Sequence, residues 1–318
     1  MPKSQVIEEK YINGIKVDKE NDNCFFNDET HTYYDKKTMR KCISVTQLIS
    51  HYCTEFDENF WSAYKALEFI CEPDVWSIIR GRLLSTKRFT DVTLEYLEKT
   101  YHIDRNLFLI KQEEIKAEYK KKRDEACERG TKIHLGRELS MYGKKDFDFR
   151  PYGFKDLYGQ FFCYQDHSVI ELERGVYPEF LIYADFDGLL VSGQADLLIC
   201  DGLDVYLGDY KTNREIKKTS YFDQRRKKYQ MMKPPLNNIM DSTFNHYALQ
   251  LSLYGRMLQQ NDPKLNIKQL QIIHIDHDNN ETIYEVPYLK SDVERMLKHY
   301  TKQQEIQEKL DRDRPVII

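Results

Sequence analysis

The spacing of apolar positions divides the chain into a strand-like start, a helical stretch and a mixed remainder. Between residues 22 and 45, Cys24-Phe-Phe, Thr32-Tyr-Tyr and Cys42-Ile-Ser-Val are short β-prone runs separated by polar turn residues, which predicts a small β unit. Ser44 or Thr46 then suits a helix cap ahead of Gln47-Leu-Ile-Ser. From there to about residue 125, apolar residues recur at three-to-four spacing through Phe60, Trp61, Tyr64, Leu67 and Phe69, then Leu94, Tyr96 and Leu97, then Leu107, Leu109 and Ile110. A charged helix over 111–129 leads into Gly130-Thr-Lys-Ile-His134.

The period then shortens. Residues 176–183, 189–192, 195–199 and 205–212 read as strands, with turns at 184–188 and 201–204, and predict an antiparallel meander. A helix over about 242–260, strands over 269–276 and 281–288, and a closing helix over 291–310 follow. A meander, a crossover helix and a further strand make an α/β (α+β) fold with a central mixed sheet flanked by helices.

Composition changes this picture little. The 318 residues are 41% apolar and 31% charged with a formal net charge of -4, as expected of a soluble globular protein. No apolar run approaches membrane-span length, and the acidic start Met-Pro-Lys-Ser-Gln-Val-Ile-Glu-Glu resembles neither a secretory signal nor a transit peptide. A cytoplasmic protein with no membrane partner is the expectation. The seven cysteines, at 24, 42, 53, 71, 127, 163 and 200, contain no Cys-x-x-Cys pair, which argues against a zinc site and a disulfide framework.

The candidate chemistry centres on Gly193-Gln-Ala-Asp196 and Gly208-Asp-Tyr-Lys-Thr212. In a strand, Asp209 and Lys211 share a face and Tyr210 takes the other. Two acids for a hard divalent cation with a lysine beside them suit metal-assisted phosphodiester hydrolysis, although a surface Asp-Lys pair on a hairpin has the same local pattern. His134 and Glu138 lie four apart on one helical face, and Glu179 is expected to open the strand Phe180-Leu-Ile-Tyr183. Gln250 and Tyr254 share one face of the 242–260 helix. Between Lys211 and that helix lie Arg214, Lys217, Lys218, Arg225, Arg226, Lys227, Lys228 and Lys233 against Glu215 and Asp223, interleaved with Tyr221, Phe222 and Tyr229. Basic residues with aromatics suggest a surface that tracks a nucleic-acid backbone and stacks bases.

In this order the motifs resemble the RecB-like branch of the PD-(D/E)XK nucleases, which run Gly-Thr-x-x-His, an acid, Gly-x-x-Asp, Asp-Tyr-Lys and Gln-x-x-x-Tyr. Gly130-Thr-Lys-Ile-His134, Glu179, Gly193-Gln-Ala-Asp196, Asp209-Tyr-Lys211 and Gln250-Leu-Ser-Leu-Tyr254 carry the likeness over roughly residues 125–275. His31-Thr-Tyr-Tyr, Ser44-Val-Thr46 and the Trp-containing helix are more loosely similar to bacteriophage exonucleases and the mitochondrial genome maintenance exonuclease group.

The resemblance implies a restriction-endonuclease-like core over 126–318, preceded by a β unit and a helical, arch-like subdomain over 1–125. Asp196 and Asp209 would hold one or two Mg²⁺ or Mn²⁺ ions with His134 and the Tyr210 carbonyl, and Glu179 would ligate a second ion or orient water. Lys211 would position or help deprotonate the attacking water, while Gln250 and Tyr254 steady the site or contact substrate. Arg214, Lys217, Lys218, Arg225, Arg226, Lys227, Lys228 and Tyr229 are the expected nucleic-acid contacts. Some relatives carry an iron–sulfur cluster on one early and three late cysteines; no cysteine follows Cys200 here, so none is expected. The implied activity is a metal-dependent DNA exonuclease of phage-type recombination, replication or repair. It would act on single strands or duplex ends, with a recombinase or single-strand-binding protein as candidate partner. A structure-specific endonuclease, an RNA-processing enzyme and a non-catalytic DNA-binding protein share these features.

Overall fold

A computed structural model describes residues 9–165, 171–224 and 226–312. In chain order, short strands β1 (Lys10–Ile12), β2 (Ile15–Val17), β3 (Lys19–Glu20), β4 (Cys24–Asn27), β5 (Thr32–Asp35) and β6 (Ile43–Ser44) precede helices α1 (Val45–Ser50), α2 (Glu58–Ile70), α3 (Pro73–Thr86), α4 (Asp91–Tyr101) and α5 (Arg105–Met141). Strands β7 (Phe162–Cys163), β8 (Gly175–Phe186), β9 (Leu189–Asp201), β10 (Asp204–Lys211), β11 (Phe222–Asp223) and β12 (Lys228–Tyr229) follow. The chain ends with α6 (Thr243–Asn261), β13 (Asn266–Ile275), β14 (Glu281–Val286) and α7 (Lys290–Arg312).

Two compact units divide these elements, Glu55–Thr131 and the described residues of Met1–Thr54 with Lys132–Ile318. The N-terminal β unit therefore groups with the later sheet and not with the helices that follow it. The Glu55–Thr131 unit is a small helical bundle. Its core takes Phe60, Ala63 and Leu67 from α2, Ile79 and Leu83 from α3, Leu94 and Leu97 from α4, and Phe108 and Ile115 from α5. Asp57 caps α2 by accepting from Phe60 N–H, Pro73 starts α3 where no intrahelical donor is needed, and Thr90 caps α4.

The other unit is built on a mixed sheet in the order β14-β13-β10-β9-β8-β7, with β6 also pairing β9. β8, β9 and β10 form the antiparallel meander, and α6 carries the chain across so that β13 pairs parallel to β10. Alternation along the strands loads both faces. Leu198 and Cys200, Val205 and Leu207, and Leu270 and Ile272 pack with α1, α6 and α7. Leu197 and Ile199, Tyr206 and Tyr210, and Ile273 and Ile275 pack with Met141, Phe149, Phe154 and Phe161. Burial on both faces explains why these strands read as near-continuous apolar runs.

Three differences from the sequence reading bear on the site. The strands expected over 189–192 and 195–199 are one strand, β9, because Gly193 lies within it and makes no turn. A Cβ there would meet Tyr254 Cε1 at 3.0 Å and Val45 Cγ2 at 3.2 Å, so the glycine allows helix side chains to approach the strand. Glu179 lies inside β8 instead of opening a strand. Gly130 does not end the charged helix, and α5 continues through His134 to Met141. Of the two cap candidates, Ser44 is the cap of α1, in a reciprocal capping box with Gln47.

Candidate metal and catalytic site

The site lies where two strands of the sheet part. The last β9–β10 pair is Leu197 with Gly208, so Asp209 to Lys211 pair only with β13. On the same edge, β9 pairs with β6 at Val191 and Ser192. Residues 193–196 therefore occupy a gap between two partners, and Asp196 closes it: its Oδ2 accepts the Tyr210 backbone N–H at 2.6 Å. A strand residue sends its N–H and C=O to the same edge, so the Tyr210 carbonyl also opens toward this gap.

Three donors converge beside it. His134 on α5, Glu179 on β8 and Asp196 on β9 place ligand atoms within 4.8 Å of one another. His134 Nδ1 is 3.3 Å from Glu179 Oε1 and 3.4 Å from Asp196 Oδ1. Glu179 sits opposite Asp196, between the pairs Pro178↔Leu197 and Phe180↔Ala195, with a left-handed φ of 48°. That conformation costs a non-glycine residue on the order of 1–3 kcal/mol, and such strain gathers at functional sites. Glu138, one turn from His134, instead accepts from Tyr142 and lies 3.9 Å from Lys19.

Asp209 stands next to this group in a different pairing. Its side chain is 1% exposed; Oδ2 lies 2.5 Å from Lys211 Nζ, and Oδ1 accepts from Gln250 Nε2 at 3.2 Å. Gln250 Nε2 also lies 3.5 Å from the Tyr254 hydroxyl. Gln250 and Tyr254 belong to a buried stretch of α6, and their polar groups find partners inside the site.

Sequence spacing alone did not flag Tyr247, yet Lys211 Nζ lies 4.8 Å from its ring centroid. Tyr247, Gln250 and Tyr254 form one stripe at i, i+3 and i+7, which was the available signal. Tyr33 on β5, noted in sequence only within His31-Thr-Tyr-Tyr, also comes near, and its hydroxyl accepts from Gln194 Nε2 at 3.3 Å.

Charge and burial oppose each other throughout. Burial alone would lower the His134 pKa, but its bonds to Asp196 and Glu179 outweigh this and push it up to about 10. Burial would raise Asp196, yet His134, Lys211 and the Tyr210 N–H hold it below the ordinary carboxylate value. Burial does raise the Asp209 carboxyl, to about 7, with Lys211 pulling it down and the charge of Asp196 adding to the rise. Burial works against the Lys211 ammonium, which the two aspartates nonetheless hold above its ordinary value.

This donor set fits a divalent cation. Two carboxylates and an imidazole converge, and the surplus of acid draws positive charge to His134. Carboxylate oxygens suit Mg²⁺ and Mn²⁺, and the added nitrogen suits Mn²⁺ better.

The basic segment forms a short hairpin. β11 pairs with β12, and the Phe222 and Tyr229 rings meet at 5.0 Å. Arg214, Lys217, Lys218, Arg226, Lys227, Lys228 and Tyr229 are exposed, while Arg225 lies outside the described residues. Lys217 pairs with Glu215 at 3.0 Å and Arg226 with Asp223 at 3.8 Å; Lys218 lies 5.6 Å from the Phe244 ring and 5.5 Å from that of Tyr284. None of the described helices is long and apolar enough to cross a membrane.

No family model and no curated protein matches the chain. Among solved structures it is similar to the crystal structure of SSO0001, at 15% identity over 83% of this chain and 76% of that one. The TM-score of that likeness is 0.31.

Proposed function

We propose that this chain is a divalent-metal-dependent DNA exonuclease that hydrolyses phosphodiester bonds on a RecB-like PD-(D/E)XK core. The observation that carries the reading is the meeting of His134, Glu179 and Asp196 beside the Asp209–Lys211 pair, although these residues are spread along the chain from 134 to 211. A solvated hairpin pair would not need Asp209 at 1% exposure, nor a buried glutamine donating to it.

In this reading His134, Glu179 and Asp196 hold Mg²⁺ or Mn²⁺, with Asp209 and the Tyr210 carbonyl alongside. The ion supplies Lewis-acid stabilisation of charge on the phosphoryl oxygens. Lys211 orients the attacking water and offsets negative charge that builds in the transition state. Asp209 and Tyr247 fix the direction of the Lys211 ammonium, and Gln250 fixes Asp209. Arg214, Lys217, Lys218, Arg226, Lys227 and Lys228, all exposed, would contact phosphates, with Tyr229 available for stacking.

The test is digestion of 5′- and 3′-end-labelled linear DNA, single- and double-stranded, beside circular DNA and RNA, in Mg²⁺ or Mn²⁺. Shortened linear strands with intact circles, abolished by chelation and by Lys211→Ala, are expected. Nicked circles would assign an endonuclease instead. Binding without cleavage under every condition would overturn the enzymatic reading.

A further inference from the structure

A second group of donors lies outside that site. Cys53 closes the turn after α1, its N–H donating to the Ser50 carbonyl at 3.1 Å and its Sγ lying 3.4 Å from the Ile49 carbonyl. Asp241 precedes Ser242, the cap residue of α6, and His246 lies in the first turn of that helix. The Cys53 thiol, an Asp241 oxygen and a His246 nitrogen all fall within 4.8 Å of one another.

The carboxylate is already oriented. Asp241 Oδ2 accepts the Thr54 N–H at 2.9 Å and Gln230 Nε2 at 3.1 Å, which leaves Oδ1 turned to His246 Nε2 at 2.6 Å. Hydrogen bonds of this kind fix the ligands of metal centres. The Asp241 side chain is 4% exposed and that of His246 27%, so a cation can enter past the imidazole. The nearby Lys233 directs its ammonium to the His51 carbonyl at 3.2 Å.

We propose that Cys53, Asp241 and His246 form a second metal centre, which takes a divalent cation of the Zn²⁺ class and clamps the end of α1 to the start of α6. One sulfur, one nitrogen and one oxygen select a borderline metal over Mg²⁺, in contrast to the nitrogen and two carboxylates of the His134 group. Bond lengths to Zn²⁺ of about 2.0–2.3 Å put tetrahedral ligand atoms roughly 3.3–3.7 Å apart. Closing the trio on an ion therefore takes shifts of about an ångström, including an opening of the Asp241–His246 contact. A fourth position stays open to water or an external ligand. Because His246 precedes Tyr247, the clamp would set the first turn of the helix that carries Gln250 and Tyr254. Binding is read independently of any nuclease activity.

Titration of the chelator-treated full chain with Co²⁺ tests this, since thiolate ligation gives a near-ultraviolet charge-transfer band that a nitrogen-and-oxygen site cannot give. One equivalent of Co²⁺ showing that band is expected, displaced by one equivalent of Zn²⁺, lost in Cys53→Ser and weakened at least tenfold in affinity in His246→Gln. Asp196→Asn should keep the band. Circular dichroism of the metal-free variants checks that they fold. Absence of the band in the wild-type chain, or its survival in Cys53→Ser, would overturn the proposal.

Discussion

The backbone N–H of Tyr210 donates to the Asp196 carboxylate at the point where the ladder between β9 and β10 stops. A side chain thus satisfies a buried donor that the neighbouring strand no longer reaches. The same contact draws one acid to the gap and leaves the other, Asp209, to Lys211.

Lys211 and Asp209 should behave as one unit. Lys211→Ala is expected to remove cleavage and to destabilise the chain by up to about 3 kcal/mol, because it leaves a buried carboxylate without its cation. Protonation of Asp209, already favoured by burial, keeps the loss at or below that figure. Adding Asp209→Asn to Lys211→Ala should recover part of the stability without activity. Strictly additive losses in urea unfolding would show that the pair is not coupled.

Tyr247 should act through Lys211. A cation–π contact is worth roughly 0.5–2 kcal/mol, so Tyr247→Leu is expected to lower kcat by about 2- to 30-fold with little change in KM. Tyr247→Phe keeps the ring and should keep the rate. Equal losses in both variants would point to the hydroxyl instead.

Glu179→Gly should separate stability from ion binding. Relief of the left-handed backbone offsets the lost bond to His134, so the metal-free unfolding free energy in urea is expected within about 1 kcal/mol of wild type. The rise in Tm on adding Mn²⁺ should shrink. An undiminished rise would remove Glu179 from the ligand set.

His134 gives the metal-free protein a pH dependence. Its pKa rises on folding from 6.5 to about 10, so the folded state holds a proton that the unfolded chain releases across that window. The resulting stability is complete below pH 6.5 and falls as pH climbs toward 10, by at most about 1.4 kcal/mol per unit. Chemical denaturation between pH 7 and 10 should show this slope in wild type and lose it in His134→Gln. Identical slopes would contradict the assignment.

Replacing Arg226, Lys227 and Lys228 with Gln should weaken DNA binding and flatten its salt dependence. Each lost phosphate contact lowers the log–log slope by roughly 0.7 on single strands and 0.9 on duplex. An unchanged slope would make the β11–β12 hairpin a solvated surface and no more.

Much of this was legible from local period. Strand alternation put Asp209 and Lys211 on one face with Tyr210 opposite, and helical spacing aligned Gln250 with Tyr254. The break read between 192 and 195 is absent because Gly193 serves a close approach of Tyr254 and Val45 inside one strand, which only the packing shows. The backbone of Glu179 was hidden since nothing local demands a positive φ from glutamate. The cysteine spacing argued against a zinc-type site, but that rule sees neighbours in sequence, whereas Cys53 meets Asp241 and His246 through the packing of α1 on α6.

The edge of β9 that changes partner between Ser192 and Leu197 works as a length gauge. Its two ends are indexed separately, one to β6 and the other to β10. Inserting or deleting one residue between them cannot be absorbed by sliding a single ladder. It would break either the pairing of Val191 and Ser192 with β6 or the Leu197–Gly208 pairing that sets Asp196 beside the Tyr210 N–H. A change of length in this interval therefore costs a pairing as well as a side chain.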